Sequence, residues 1–342
     1  MKNLFLVLLS FLLFSNAFAE ELKELPVKIL KDTSVTWRLE RINFYFENDL
    51  FFNTDNKYTS GVKLSSVYFV PQAKDFLEKI PFLYSDDKSH FVSMGIAQQI
   101  FTPTDTESTQ LLVNERPYAG WLYFEYGIHQ SSSTELDSLV FEIGAIGQSS
   151  GAELAQTSIH NLRGIDVPKG WDNQLGNELG INLIYQHKWR IIPQKVYGIS
   201  SNFIPFVAGS LGNVRTEAKG GVLMRFGWHP IADFGSSSID IGGENGIPIK
   251  TNCLCPMYEA WSFTFNVTLA GKAVARNIFL DGNTFSQSHS VEKEPFVGYT
   301  SLGMSVRYHH FALDYMLTDF TKQYVLETGD QKYGSLLFSY VY

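Results

Sequence analysis

The sequence predicts an all-β protein: a transmembrane antiparallel β-barrel of about twelve strands, with a short helix in one outward loop. Three observations predict it. Apolar and polar residues alternate with a period of two through most of the chain, as in Trp261, Phe263, Phe265, Val267 and Leu269 against Ser262, Thr264, Asn266 and Thr268. The chain carries 27 Phe and 17 Tyr but only 18% charged residues, and past its leader it never approaches the ~20 consecutive apolar residues of a membrane helix. It ends Leu336, Phe338, Tyr340, Tyr342, alternating and closing on an aromatic residue. Alternation alone does not say which face is wet, so a secreted β-sandwich fits the same pattern.

In chain order, residues 1–19 read as a secretory signal peptide, because Lys2 precedes a short apolar run and Ala17-Phe18-Ala19 fits a small-x-small cleavage site. Residues 20–35 form a mixed linker, and 36–342 the outer-membrane barrel domain. The alternating segments lie near 36–48, 58–70, 90–100, 120–130, 137–147, 175–190, 199–213, 218–229, 259–275, 295–308, 311–319 and 333–342. If Ile42, Phe44 and Phe46 face lipid, then Arg41, Asn43, Tyr45, Glu47 and Asp49 face the lumen. The same rule puts Leu179, Ile181, Leu183 and Tyr185 outside with Asn182, Gln186 and Lys188 inside, and sets Leu302, Met304, Val306 and Tyr308 against Ser301, Gly303, Ser305 and Arg307.

An even strand count puts both ends of the barrel chain in the periplasm. The connections 49–57, 101–119, 148–174, 214–217, 276–294 and 320–332 then face outward. The inward connections 71–89 and 230–258 are longer than periplasmic turns ordinarily are, which implies either a folded periplasmic rim or an unrecognised strand pair.

Composition narrows the function. A net charge of -8 argues against a nucleic-acid partner, which needs a basic face. Cys253 and Cys255 read as a local loop feature, since one intervening residue makes a strained ring and two thiolates are too few for a metal. No Gly-x-Ser-x-Gly elbow, His-Glu-x-x-His or phosphate-binding glycine loop occurs.

Chemistry-bearing residues collect in the outward connections. Asn48-Asp49 ends the first strand and Lys57-Tyr58-Thr59-Ser60-Gly61 begins the second. A carboxylate there, beside loop carbonyls and the amides of Asn53 and Asn56, suits a hard cation such as calcium; the same Asn-Asp pair also suits a plain hairpin turn. Residues 151–162 read as a short helix on which Gln156 and His160, four apart, share a face. Histidine is the usual general base near neutral pH, and a neighbouring amide can hold it or a water; His160 is otherwise an ordinary rim histidine. Trp171 suits the interfacial aromatic belt, and Arg116 either clamps a phosphate or pairs with Glu115.

Taken together, Asn48-Asp49, Tyr58-Thr59-Ser60-Gly61, Ile96-Ala97-Gln98-Gln99-Ile100, Glu115-Arg116-Pro117-Tyr118, Gln156-x-Ser158-x-His160 and Gly170-Trp171-Asp172-x-Gln174 resemble the lipid A 3′-O-deacylase family, LpxR. The resemblance implies a twelve-stranded barrel in the bacterial outer membrane, expected as a monomer, acting on lipopolysaccharide. It implies a calcium-dependent esterase that removes the 3′-linked acyloxyacyl chain of lipid A at the extracellular rim. By the same resemblance Asp49 holds calcium, His160 is the base that activates water, and Asn48, Thr59 and Gln156 are the polar groups around them. The family's pattern has a lysine in the second outward loop where 101–114 here has none, so Arg116 or Arg163 is expected to take its contact, with Trp171 also at the substrate. Two other readings stay open: a phospholipase-type esterase, which needs a serine-histidine pair, and a channel or adhesin, which needs an open lumen.

Overall fold

The structure is a computed structural model that describes residues 37–52, 57–70, 78–79, 85, 88–191, 199–230, 232–235, 238–239, 246–249, 261–329 and 331–342. The signal peptide, the linker, Asn53, Asn56 and the two cysteines lie outside the described residues. Among those described, twelve antiparallel strands close into one barrel: β1 (Arg38–Asn48), β2 (Lys57–Phe69), β3 (Ser89–Thr102), β4 (Ala119–Ser131), β5 (Glu135–Ile146), β6 (Glu178–Trp189), β7 (Ile199–Gly212), β8 (Arg215–Trp228), β9 (Ser262–Asn277), β10 (Phe296–Tyr308), β11 (Phe311–Phe320) and β12 (Gln331–Val341). Each pairs with its sequence neighbours, and β12 pairs with β1 from Arg41↔Val341 to Asn48↔Gly334, so no strand edge is left open. Among the described residues two helices accompany the strands, α1 (Ala152–Arg163) and the single turn α2 (Ile278–Asp281). Connections after odd-numbered strands gather at one end, here the upper rim; the start of β1 and the end of β12 lie at the lower rim.

The wall is apolar outside and polar inside, as the alternation predicts. Trp261, Phe263, Phe265 and Leu269 are exposed while Ser262, Thr264, Asn266 and Thr268 are buried, and the same holds for Leu179, Ile181 and Leu183 against Asn182, Gln186 and Lys188. A soluble sandwich would invert this, since its aromatic face would be the buried one. The strand starts differ by a few residues from the sequence reading. The sixth begins at Glu178 rather than 175, because Trp171–Asn173 forms a 3-10 turn and Leu175 N donates to Tyr118 O at 2.9 Å, holding this stretch against the start of β4.

The lumen is filled. Lys63 Nζ meets Glu125 Oε1 at 2.8 Å and Asn182 Nδ2 donates to Glu142 Oε2 at 2.9 Å across its inner face. The long connection after β8 adds to this filling: its described residues include Phe234 and Ile247, buried together with Val67, Phe91, Leu136, Ile204 and Leu223. Ile239 joins Tyr45 and Leu337, and its N–H donates to Glu47 Oε1 at 2.8 Å, near the top of β1. Phe234 and Ile247 thus pack near the lower ends of the strands, as the folded rim expected there would, Asp233 and Pro248 form a single antiparallel bridge, and Ile239 carries the connection up into the lumen as a plug. A cavity beside it, lined by Arg41, Arg225, Asp233, Thr264, Ser305, Asp314 and Leu337, measures about 10 Å³, room for about one water. The open lumen that a passive channel needs is not present among the described residues.

Asp233 anchors the plug to opposite sides of the barrel. It accepts from Arg41 of β1 at 3.2 Å and from Arg225 of β8 at 2.7 Å, with all three side chains buried. Removing the carboxylate leaves two guanidiniums without it in a low-dielectric lumen. Asp233→Ala is therefore expected to cost about 3–5 kcal/mol of stability, read as a lower unfolding temperature by heat-dependent gel mobility; an unchanged temperature would show that the plug is not held by this bridge.

Candidate active site on the outer wall

The outward face of the wall at the upper rim can be followed strand by strand. Asn48 pairs with Ser60, Ser60 with Ile100, and Ile100 with Gly120, so these four residues form one row across β1 to β4, three inter-strand spacings or roughly 14 Å long. Helix α1 sits on the far end of that row. It buries Ala152, Gln156 and His160, and Ala152 packs with Ile100, Tyr118 and Trp171. Gln98, also on the outward face, donates through Nε2 to Ser150 O at 2.7 Å. The helix thus lies against the outside of the barrel, and not over the lumen.

Glycine makes that approach possible. A Cβ on Gly120 would collide with Ser150 Oγ and Ala152 Cβ. Glycines also bracket the helix, since Gly151 and Gly164 both adopt left-handed backbone, at φ 67° and 65°. At the C-terminal end Gly164 N donates to Asn161 O and Ile165 N to His160 O at 3.1 Å, a turn that folds the chain back over the helix. Gly120→Val is expected to push α1 off the wall and lower activity by up to about 100-fold while the barrel still folds; full activity would mean that the seat of α1 does not matter to the site.

The fold-back orients the candidate base. Asp166 O lies 2.6 Å from His160 Nδ1. A carbonyl only accepts, so in the neutral ring Nδ1 carries the hydrogen and Nε2 is the basic nitrogen. One turn away, Gln156 Oε1 accepts from Trp171 Nε1 at 3.0 Å, and Gln156 Nε2 has no hydrogen-bond partner among the described residues. Both side chains are nearly enclosed, with His160 5% and Gln156 4% exposed. A buried amide donor with unspent hydrogens is what a developing negative charge can use.

Trp171 is not in the interfacial belt as its type suggested. It is buried, tilted against Tyr118 with ring centroids 4.9 Å apart and spent on Gln156, so it fixes the amide from behind. The orienting Asp166 carbonyl was not found by sequence reasoning; the only signal was Gly164, a glycine placed to end the helix in a left-handed turn. Segment 169–173 is bonded in turn to the second upper connection. Lys169 N donates to Thr106 O at 2.9 Å and Asn173 Nδ2 to Thr109 O at 3.1 Å. The exposed Lys169 ammonium meets Glu107 at 2.6 Å, and that carboxylate raises the lysine's pKa.

At the other end of the row, Asn48 Oδ1 accepts from Leu50 N at 2.8 Å, an Asx turn that starts the 3-10 turn Asp49–Phe52. Phe51 of that turn packs over Gly334 of β12, where a Cβ would collide with its ring. Asp49 is buried, and Thr59 shares a hydroxyl–hydroxyl bond of 2.8 Å with Thr102 at an irregularity in the β2–β3 register. Lys57, at φ 68°, is held by Thr328 O at 2.7 Å, Gly329 O at 2.9 Å and Glu327 at 3.2 Å. The structure thus joins Gln156 to Trp171 and seats α1 directly on β3 and β4. The Asn48-Asp49 corner is on the same rim, with β2 between it and β3.

Arg116 and Arg163 differ sharply. Arg116 is enclosed, lying 5.3 Å over the Phe101 ring and donating to Gln323 at 3.1 Å, so it ties the second upper connection to the sixth. Arg163 is exposed in the last turn of α1.

The oxygens at the Asp49 corner, from Asp49, Asn48, Thr59 and Ser60, are the donor chemistry that calcium takes. Among the described residues no group of three or more His, Cys, Asp or Glu side chains stands ready for a metal, so such a site would rest on one carboxylate and neutral oxygens.

A serine-histidine pair does exist, brought together by strand pairing and marked by no local motif. Ser93 Oγ lies 2.8 Å from His129 Nε2, whose Nδ1 is 2.8 Å from Ser138 Oγ. All three are fully buried in the lumen, and Ser138 takes the place that an orienting carboxylate would have. A lipid ester has no route to them there.

The model of the family described as outer membrane protein LpxR matches residues 5–342. Among solved structures, LpxR from Salmonella typhimurium is similar at 17% identity and a TM-score of 0.71, covering 88% of this chain and all of that one. The β domain of the Bordetella autotransporter BrkA aligns at 6% identity over 90% of this chain and 100% of that chain with a TM-score of 0.44. No curated protein matches the sequence.

Proposed function

The chain belongs to the LpxR family of outer membrane proteins, and on that premise we propose that it hydrolyses the ester holding the 3′-linked acyloxyacyl chain of lipid A, at an upper rim that faces the cell exterior. The observation that carries this reading is the placement of α1. It seats His160 and Gln156 between the helix and the outward surface of the wall, on the side of the barrel that faces lipid and not in the lumen.

In the mechanism we infer, His160 Nε2 takes a proton from a water whose oxygen attacks the ester carbonyl. The Asp166 carbonyl holds the ring while it becomes imidazolium. The Gln156 amide, fixed by Trp171, donates to the carbonyl oxygen as negative charge builds. When the acyl C–O bond breaks, the imidazolium returns its proton to the departing sugar oxygen, giving a free 3′-hydroxyl and an acyloxyacyl carboxylic acid. Asp49, with the oxygens of Asn48 and Thr59 nearby, would hold calcium, and the ion would supply Lewis-acid charge to the ester. Arg163, exposed beside the base, is the better placed of the two arginines for a lipid A phosphate; the enclosed Arg116 serves to lock the loops.

The test is the mass of lipid A in outer membranes carrying the protein with calcium supplied. Loss of the 3′ acyloxyacyl mass supports the proposal, whereas release of fatty acid from phospholipid with lipid A intact would favour the phospholipase reading.

A further inference from the structure

Helix α1 has a face that neither the wall nor the proposed chemistry uses. Successive residues turn about 100° around a helix, so Ala152, Gln156 and His160 form one stripe, the one against the wall. Glu153, Thr157 and Asn161 form a polar flank beside it. The remaining arc carries Leu154, Ala155, Ile159 and Leu162 with Ser158 among them, and Leu154 is 73%, Ile159 53% and Leu162 82% exposed. Three large aliphatic side chains bared on one twelve-residue helix are costly in water and call for an apolar partner.

The lipid-facing belt runs up to this helix. Ile96 and Phe124 are cross-strand partners, exposed on the outward face. The next outward pair above them is Gln98 and Leu122, and the pair above that is Ile100 and Gly120, on which α1 is seated. Each step is two residues of strand, about 7 Å before tilt. The helix therefore rests within about two steps of the hydrocarbon-facing belt, against the same side of the wall. A helix with a polar face, an apolar face and a terminal cation such as Arg163 is suited to lie in a membrane interface.

We propose that α1 is an interfacial helix whose Leu154, Ile159 and Leu162 face is covered by lipid acyl chains of the outer leaflet. This rests on the barrel spanning the outer membrane and not on the reaction proposed above, so the two can fail separately.

The experiment places a nitroxide on single cysteines, Ile159→Cys and Leu162→Cys separately, in a full-length chain with Cys253→Ser and Cys255→Ser, reconstituted in phosphatidylethanolamine–phosphatidylglycerol vesicles. All the labelled side chains are exposed, so folding is not at stake, and heat-dependent gel mobility checks it. Ile96→Cys supplies the lipid reference and Glu153→Cys the aqueous one. Collision with oxygen is expected to exceed collision with a water-soluble nickel chelate at both helix positions, as at Ile96. Values matching Glu153 would overturn the proposal. So would protection from both quenchers that weakens as the protein is diluted in lipid, because a second copy of the chain would then be the cover.

Discussion

Replacing His160 with alanine is expected to lower ester cleavage about 10²- to 10⁴-fold, the range that a positioned general base contributes. The effect should fall on kcat, because the imidazole works on the water and not on the acyl chains. The barrel should still fold, since His160 sits on a loop helix outside the closed ring of twelve strands and its Nδ1 bonds a loop carbonyl, Asp166 O. Trp171→Phe is the graded companion: it keeps an aromatic ring against Tyr118 and removes the Nε1 donor that orients Gln156. Lipid A mass and turnover read both variants. If His160→Ala in a correctly folded barrel is as active as the parent, the water-activating mechanism is wrong.

The strands were legible because lipid enforces period two on every one of them, and twelve alternating segments in the sequence correspond to the twelve strands described. Helix α1 was legible for a related reason, as Gln156 and His160 recur at helical spacing within 151–162. The plug was not legible. Asp233, Phe234, Ile239 and Ile247 meet strands from many directions, so no period marks them. Arg116 was open between phosphate and Glu115, and its observed partner Gln323 lies 207 residues away, beyond any local pattern. Trp171 misled for a different reason: membrane barrels favour tryptophan at the interface, but a hydrogen-bond acceptor buried nearby outweighs that preference. The side of the wall on which the site lies followed from register alone, since Asn48, Ser60, Ile100 and Gly120 share a face only once the strands are paired.

Removing calcium is expected to abolish activity, by at least about 10³-fold, because a cation at the developing oxyanion is worth several kcal/mol. The donor set also sets the strength of binding. With Asp49 as the carboxylate and neutral oxygens around it, ligand charge is low, and affinity on the order of 10⁻⁴ to 10⁻³ M is expected, as in extracellular calcium modules. A chelator should therefore strip the ion readily, and millimolar calcium should restore turnover. Magnesium should restore it poorly, because it demands a near-ideal octahedron that a corner built from a strand end and a 3-10 turn is not shaped to give. Asp49→Asn keeps the side-chain shape and removes the charge, so it should mimic the chelated parent while leaving the Asn48 turn intact. Cleavage that persists in chelator and in Asp49→Asn would mean that the Gln156 amide and the helix face carry the oxyanion without a metal.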